Sequence, residues 1–197
     1  MLLEECGTYR LVGEDLGMVP DYVRPCLQQL DIAGFKIPQW ENEPDGSMIA
    51  GSKYERVSLA TYATHDHEPI RAMWERWMAD IRAAEHGGPE TWPARDKAWR
   101  ECRMIASWCG FDVPKIMPWS DEIHQRLVST LLKSNSWLVI LMITDLFATN
   151  QRFNVPGGVS DANWSQRLIG TSSEWDADEE LTERVAKVRA LMKAAGR

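Results

Sequence analysis

Apolar residues in this chain fall into short dense runs that break into charge, alternating with longer segments of helical period. Tyr9 to Val12, Ile32 to Pro38 and Val57 to Thr64 read as strands, and Trp137 to Leu146 reads as the most hydrophobic strand, buried on both faces. Between them lie helical patterns. Asp21 is placed to cap a helix with Val23, Leu27 and Leu30 on one face. Pro69 opens a helix to about Glu85 that carries Ile70, Met73, Trp74 and Trp77. Another is expected from Pro93 to Cys109, stopped by Gly110, and a third starts at Ser120-Asp121-Glu122 with Ile123, Leu127, Leu131 and Leu132 as its stripe. Glu43 to Lys53 and Ala148 to Ser165 read as loops, and residues 172 to 197 as an acidic linker and charged helix. The order is that of four βα units, whose right-handed crossovers make a parallel sheet. An α/β fold with about four parallel strands is half of an eight-stranded (β/α)8 barrel. Residues 1–170 are assigned to that half-barrel and 171–197 to the tail.

Composition narrows the function. The chain has 197 residues and a formal charge of -7, which argues against nucleic acid and anionic membranes as partners. No apolar run approaches the roughly 20 residues of a bilayer span. Glu4 and Glu5 interrupt any signal-peptide pattern at the N-terminus, and the four cysteines lack CxxC spacing, so a cytoplasmic protein with reduced thiols is expected. Ten tryptophans are an excess. Trp74, Trp77, Trp99, Trp108 and Trp137 fit core patterns. Trp40, Trp119 and Trp164 sit in loop contexts and are the candidates for a surface that stacks on sugar rings.

The chemistry gathers where strands end. The strand from Val57 runs into Thr64-His65-Asp66-His67-Glu68, and the first strand exits through Gly13-Glu14-Asp15-Leu16-Gly17. Carboxylates at the C-terminal ends of parallel strands are where α/β folds keep their sites. Each cluster taken alone also fits a helix start. His65-x-His67 could supply two metal ligands, the basis of an alternative reading as a metal-dependent hydrolase, although His86 and His124 lie in helical or turn contexts and the cysteines are poorly placed to complete it. A non-catalytic carbohydrate-binding fragment, which the tryptophan excess would also support, is the other alternative.

Gly13-Glu14-Asp15-Leu16-Gly17, Thr64-His65-Asp66, Arg152-Phe153-Asn154-Val155-Pro156-Gly157 and Asn163-Trp164, in this order and spacing, resemble the C-terminal part of the 4-α-glucanotransferases. These are the amylomaltases, or disproportionating enzymes, of the α-amylase superfamily. The resemblance covers Tyr9 to Leu168 and implies motifs on the fifth, seventh and eighth strands of a (β/α)8 barrel. It implies Glu14 as general acid/base, Asp66 as the carboxylate stabilising the transition state, His65 as its partner on the sugar, and Asn154, Pro156 and Gly157 as the substrate loop. Gly158 stands where the family often has Thr, and His67-Glu68 replace its more usual residues. The family's nucleophile, an Asp in an R-x-D-H-type motif, has no match. The reaction implied is transfer of an α-1,4-glucan segment to the 4-hydroxyl of glucose or another glucan, without cofactor or metal. The implied partners are the glucan and the N-terminal half of the barrel. Retaining transfer needs a carboxylic acid and a carboxylate nucleophile roughly 5 Å apart, with further carboxylates to steady the oxocarbenium charge. Glu14, just past an apolar strand, is expected to be partly buried and so protonated.

Overall fold

The computed structural model describes residues 2–7, 10–168 and 170–197. By its contacts the chain divides into two compact units, Met1–Thr61 with Lys133–Ile140 and Tyr62–Leu132 with Leu141–Arg197.

The first unit holds helices α1 (Leu2–Cys6) and α2 (Val23–Gln29) and the parallel sheet of β1 (Gly34–Lys36), β2 (Ser58–Ala60) and β3 (Leu138–Val139). Spatial order equals chain order, with Phe35 opposite Leu59 and Leu59 opposite Leu138. Beyond β1 the ladder continues through a parallel bridge between Val12 and Ala33, where Gly13 N–H donates to Ala33 O at 2.9 Å and Ala33 N–H to Leu11 O at 3.1 Å. The expected first strand is therefore a bridge; Tyr9 lies outside the described residues. Leu59, Ala60, Ala33 and Ile37 form the buried apolar centre. The Ser58 and Ser136 hydroxyls, 2.7 Å apart, satisfy each other within it.

Three expectations need correction. The run from Trp137 to Leu146 is not one strand buried on both faces. Only Leu138–Val139 pair with β2, Ile140 is 45% exposed, and Ile143–Leu146 form a helical turn, α6. Apolar content alone cannot separate a short strand from a short helix. Trp137 is no core residue either; it is exposed, with the Arg10 guanidinium 5.5 Å above its ring. Likewise α2 begins after Tyr22 without a side-chain cap, so Asp21 does not cap it.

The second unit is helical. The expected helices appear as α3 (Ile70–His86), α4 (Trp92–Trp108) and α5 (Asp121–Leu132). Trp74, Trp77, Met78 and Ile81 on α3 face the α4 residues Ala98, Cys102, Ile105 and Ala106, all buried. The tryptophans keep their polar edges paired, Trp74 Nε1 donating to Met117 O and Trp77 Nε1 to Glu101, each at 2.8 Å. Tyr62 donates to the Leu127 carbonyl at 2.8 Å.

The tail belongs to this unit. What reads as a linker is a helix, α7 (Ser172–Ala177), opened by a capping box between Thr171 and Glu174. It leads into α8 (Glu179–Ala194), which packs on α5 and is pinned there by Arg184 donating to Asp121 at 3.0 Å. No helix among the described residues is long and apolar enough to cross a membrane. All four cysteines are free thiols, and burial pushes Cys102 and Cys109 up to about 11.

Candidate active site

On the first unit the chemistry starts where the ladder ends. Two residues past the Gly13 hydrogen bond, the Asp15 carboxylate takes over from backbone. Its Oδ1 accepts Phe35 N–H at 2.6 Å and its Oδ2 accepts Arg24 Nε at 3.2 Å. Gly34 makes this possible, since a Cβ there would lie 2.9 Å from Asp15 Oδ2. Neighbouring residues of an extended chain point to opposite sides. Asp15 is 5% exposed, and Glu14 is exposed. The expected partial burial of Glu14 is thus corrected: burial falls on Asp15, whose role is to end the sheet, and Glu14 is left in solvent. After β1, Lys36 binds Glu55 at 2.8 Å and Glu41 at 3.1 Å. Burial alone would lower the Lys36 ammonium, but the two carboxylates outweigh it and hold it above its ordinary value. Trp40 follows β1 in a short 3₁₀ turn and is 49% exposed.

On the second unit the structure brings together most of the other site candidates. Asn154 Nδ2 donates to Asp66 Oδ1 at 2.5 Å, and His65 Nε2 lies 3.4 Å from the same oxygen. Asn154 is buried, so the pair is a fixed one. Arg152, absent from the expected set, clamps both motifs. Its Nη2 donates to the Asp66 carbonyl and its Nε to the Asn154 carbonyl, each at 2.8 Å. The guanidinium fork suits this double role, which an ammonium cannot copy. The signal was present in the sequence, because Arg152 stands two residues before Asn154.

The 153–164 loop is closed on itself. Trp164 N–H donates to Phe153 O at 2.7 Å. The Asn163 amide donates to Val155 O and Gly158 O and accepts from Val155 N–H. Pro156 and Gly157 form the exposed turn, with Gly157 at φ +77°. Trp164 has φ +62°, uncommon for a bulky residue, and its ring centroid sits 5.4 Å from that of His65. The result is a carboxylate flanked by an imidazole and an amide, beside a 59% exposed indole face. Such a set can accept sugar hydroxyls at Asp66 and pack a ring on Trp164. Trp119 packs instead near His124, with centroids 6.0 Å apart.

His67 is occupied with the turn. Its Nδ1 accepts Thr64 N–H at 3.2 Å and lies 2.8 Å from Thr64 Oγ1. Among the described residues no group of three or more His, Cys, Asp or Glu is arranged to hold a metal ion. The hydrolase alternative built on His65 and His67 gains no support from this geometry.

Comparison with known proteins points one way. A family profile described as 4-alpha-glucanotransferase matches residues 1–171. The 4-alpha-glucanotransferase of Chlamydia muridarum is 26% identical over 189 residues, which cover 90% of this chain and 32% of that protein. That of Chlamydia caviae is 28% identical over 169 residues, covering 80% and 28%. Among solved structures, amylomaltase from Corynebacterium glutamicum matches with a TM-score of 0.69 at 21% identity, over 91% of this chain and 28% of that one. Amylomaltase from Streptococcus agalactiae in complex with acarbose matches at 0.61 and 21%, over 98% and 33%. The chain spans about a third of the length of these relatives.

Proposed function

From the chain's membership of the 4-alpha-glucanotransferase family, matched over residues 1–171, we propose that it is the C-terminal half of a (β/α)8 glucanotransferase barrel. Residues 1–170 carry that half and residues 171–197 its tail. The parent reaction transfers an α-1,4-glucan segment, of the kind found in starch, glycogen and malto-oligosaccharides, to the 4-hydroxyl of another glucan or glucose. It proceeds in the cytoplasm by double displacement with retention and uses no cofactor.

Glu14 is the general acid/base, first protonating the leaving glycosidic oxygen and then taking the proton from the incoming 4-hydroxyl. Asp66 holds hydroxyls of the reacting sugar and gains in strength as positive charge develops on the ring. His65 shares that sugar. Asn154, with the Pro156-Gly157 turn, shapes the loop around it, and Trp164 and Trp40 offer stacking faces. The carboxylate nucleophile comes from the N-terminal half of the barrel, the partner this chain needs. Alone, the chain binds glucan and transfers none.

The observation that carries the reading is the Asn154–Asp66 hydrogen bond with the Arg152 clamp around it. Two motifs 88 residues apart are one constellation in space. The test is calorimetric titration of the purified chain with maltotriose or acarbose, followed by assay for maltotriose disproportionation. Binding that weakens in Asp66→Asn, with no glucose released, is expected. Measurable disproportionation that disappears in Glu14→Gln would overturn the half-site reading. Absence of any glucan binding would overturn the site itself.

A further inference from the structure

Helix α4 packs on α3 and on the short 3₁₀ turn Pro89–Thr91 that leads into it. Away from α3 it presents large side chains to solvent. Trp92 is 47% exposed, and Trp99, whose pattern reads as core, is only half-buried. Each indole carries an arginine of the same helix. The Arg95 guanidinium carbon lies 5.6 Å from the Trp92 ring centroid, and that of Arg103 lies 4.3 Å from the Trp99 centroid. At about 100° per residue, positions 92, 95, 99 and 103 fall within an arc of roughly 80° and along about 16 Å of helix. Indole and guanidinium therefore alternate along one stripe, and none of the four residues belongs to the motifs that carry the family resemblance.

Both guanidiniums are fixed in advance. Arg95 is ion-paired with Asp96 at 2.8 Å, and Arg103 Nε donates to the Val113 carbonyl at 3.3 Å. A surface held this way binds with less entropic cost of ordering its side chains. Trp and Arg are also the residue types that most often carry the energy of protein–protein contacts.

The order of the residues selects the occupant. A twofold axis through the middle of the stripe lays two α4 helices antiparallel and reverses the order on the second copy. Trp92 of one copy then faces Arg103 of the other, and Arg95 of one faces Trp99 of the other. Both pairs centre on Lys97 and Ala98. Every guanidinium meets an indole and none meets another guanidinium, which is the complementarity that cation–π attraction needs. Asp96 comes opposite Arg100 of the other copy, so the flanking charges are complementary as well. One helix face is small beside the roughly 800 Å² per partner of a stable complex, so the contact is a weak one.

We propose that the Trp92–Arg95–Trp99–Arg103 stripe is a self-complementary docking face through which two copies of this chain form a weak antiparallel dimer. The inference is independent of the sugar-site reading. Sedimentation equilibrium of the 197-residue chain from about 10 µM to about 1 mM tests it. The average mass climbs from 22.5 kDa toward twice that value as concentration rises. Arg95→Glu sets a carboxylate against the other copy's indole and weakens association about tenfold or more, and Trp92→Ala weakens it about fivefold. Lys193→Glu, a charge reversal at an exposed position of α8, leaves it unchanged. A folding-independent check uses the unmodified chain, in which the Trp92 and Trp99 indole N–H resonances shift with protein concentration while that of the buried Trp74 does not. A mass that stays at 22.5 kDa over the whole range overturns the proposal. So does association that persists undiminished in folded Arg95→Glu and Trp92→Ala variants, or a pair of indole resonances that ignores concentration.

Discussion

Asp145 Oδ1 accepts the backbone N–H of Ile70 at 2.8 Å, and the two residues are 75 apart in sequence. Ile70 is the first residue of α3, which has no side-chain cap of its own because Pro69 precedes it. Asp145 therefore caps α3 from a distance. It sits in α6, whose own position is fixed by His124 Nε2 donating to the Asp145 carbonyl at 2.7 Å. Arg71 adds a second tie by donating to the Ala148 carbonyl at 3.0 Å. Arg152 and Asn154 then tie the Asp66 turn to the same stretch of chain. The segment from Thr64 to Arg71 is thus fastened at both ends to residues 145–154.

The cap has a pH signature. Asp145 is fully buried and its Oδ2 has no hydrogen-bond partner. Desolvation pushes its carboxyl up to about 7, against the lowering effect of the Ile70 hydrogen bond. The folded state therefore binds a proton that the unfolded chain releases near pH 4, so this group's contribution to stability falls as pH rises from about 4 to about 7. The span is at most roughly 4 kcal/mol. His124 has the opposite sign, since desolvation lowers its imidazole and stability from that group falls as pH drops below its ordinary value. Urea unfolding of the parent and Asp145→Asn across pH 4 to 8 isolates the term. Their stability difference should change steadily over the window, and a constant difference would refute it.

Asp145→Leu removes the acceptor and leaves Ile70 N–H buried without a partner. The expected cost is about 1–3 kcal/mol. Hydrogen exchange should quicken at Ile70 and through the Asp66 turn, while the α5 amides slow or speed only with global stability.

Arg152→Lys keeps the charge but loses the fork that holds two carbonyls at once. About 1 kcal/mol of stability should go, together with roughly a threefold to tenfold loss of maltotriose affinity. Calorimetry reads the affinity, and unchanged binding would mean that Asp66 is held without the clamp.

Gly34 and Asp15 are coupled by contact. Gly34→Ala forces a methyl into the Asp15 carboxylate and should cost about 1–3 kcal/mol. In an Asp15→Ala background the same change should cost much less, giving a coupling energy above about 0.5 kcal/mol in a double-mutant cycle. Simple additivity would place the close approach elsewhere.

Trp74 is fully buried and hydrogen-bonded to Met117 O. Trp74→Ala should cost roughly 3–5 kcal/mol. Trp74→Phe, which keeps a ring and loses the bond, should cost less, as chemical denaturation would show.

Local pattern sufficed for the elements that close their own hydrogen bonds. The stripe of Ile70, Met73, Trp74 and Trp77 set α3, and that of Ile123, Leu127, Leu131 and Leu132 set α5, because a helix satisfies its own backbone. The order of parallel segments followed from the alternation of short apolar runs and helices. The motifs around Glu14, Asp66 and Asn154 were visible as chemistry and as family resemblance. Tertiary structure alone decided which of two adjacent carboxylates is buried, because that depends on the Phe35 N–H and Arg24 found far along the chain. It also decided that the run after Trp137 divides into a two-residue strand and a helical turn, since strand pairing needs a neighbour at the right register. The Arg152 clamp and the Asp145 cap belong to the same category: each joins groups more than 70 residues apart, and no local window of sequence contains both partners.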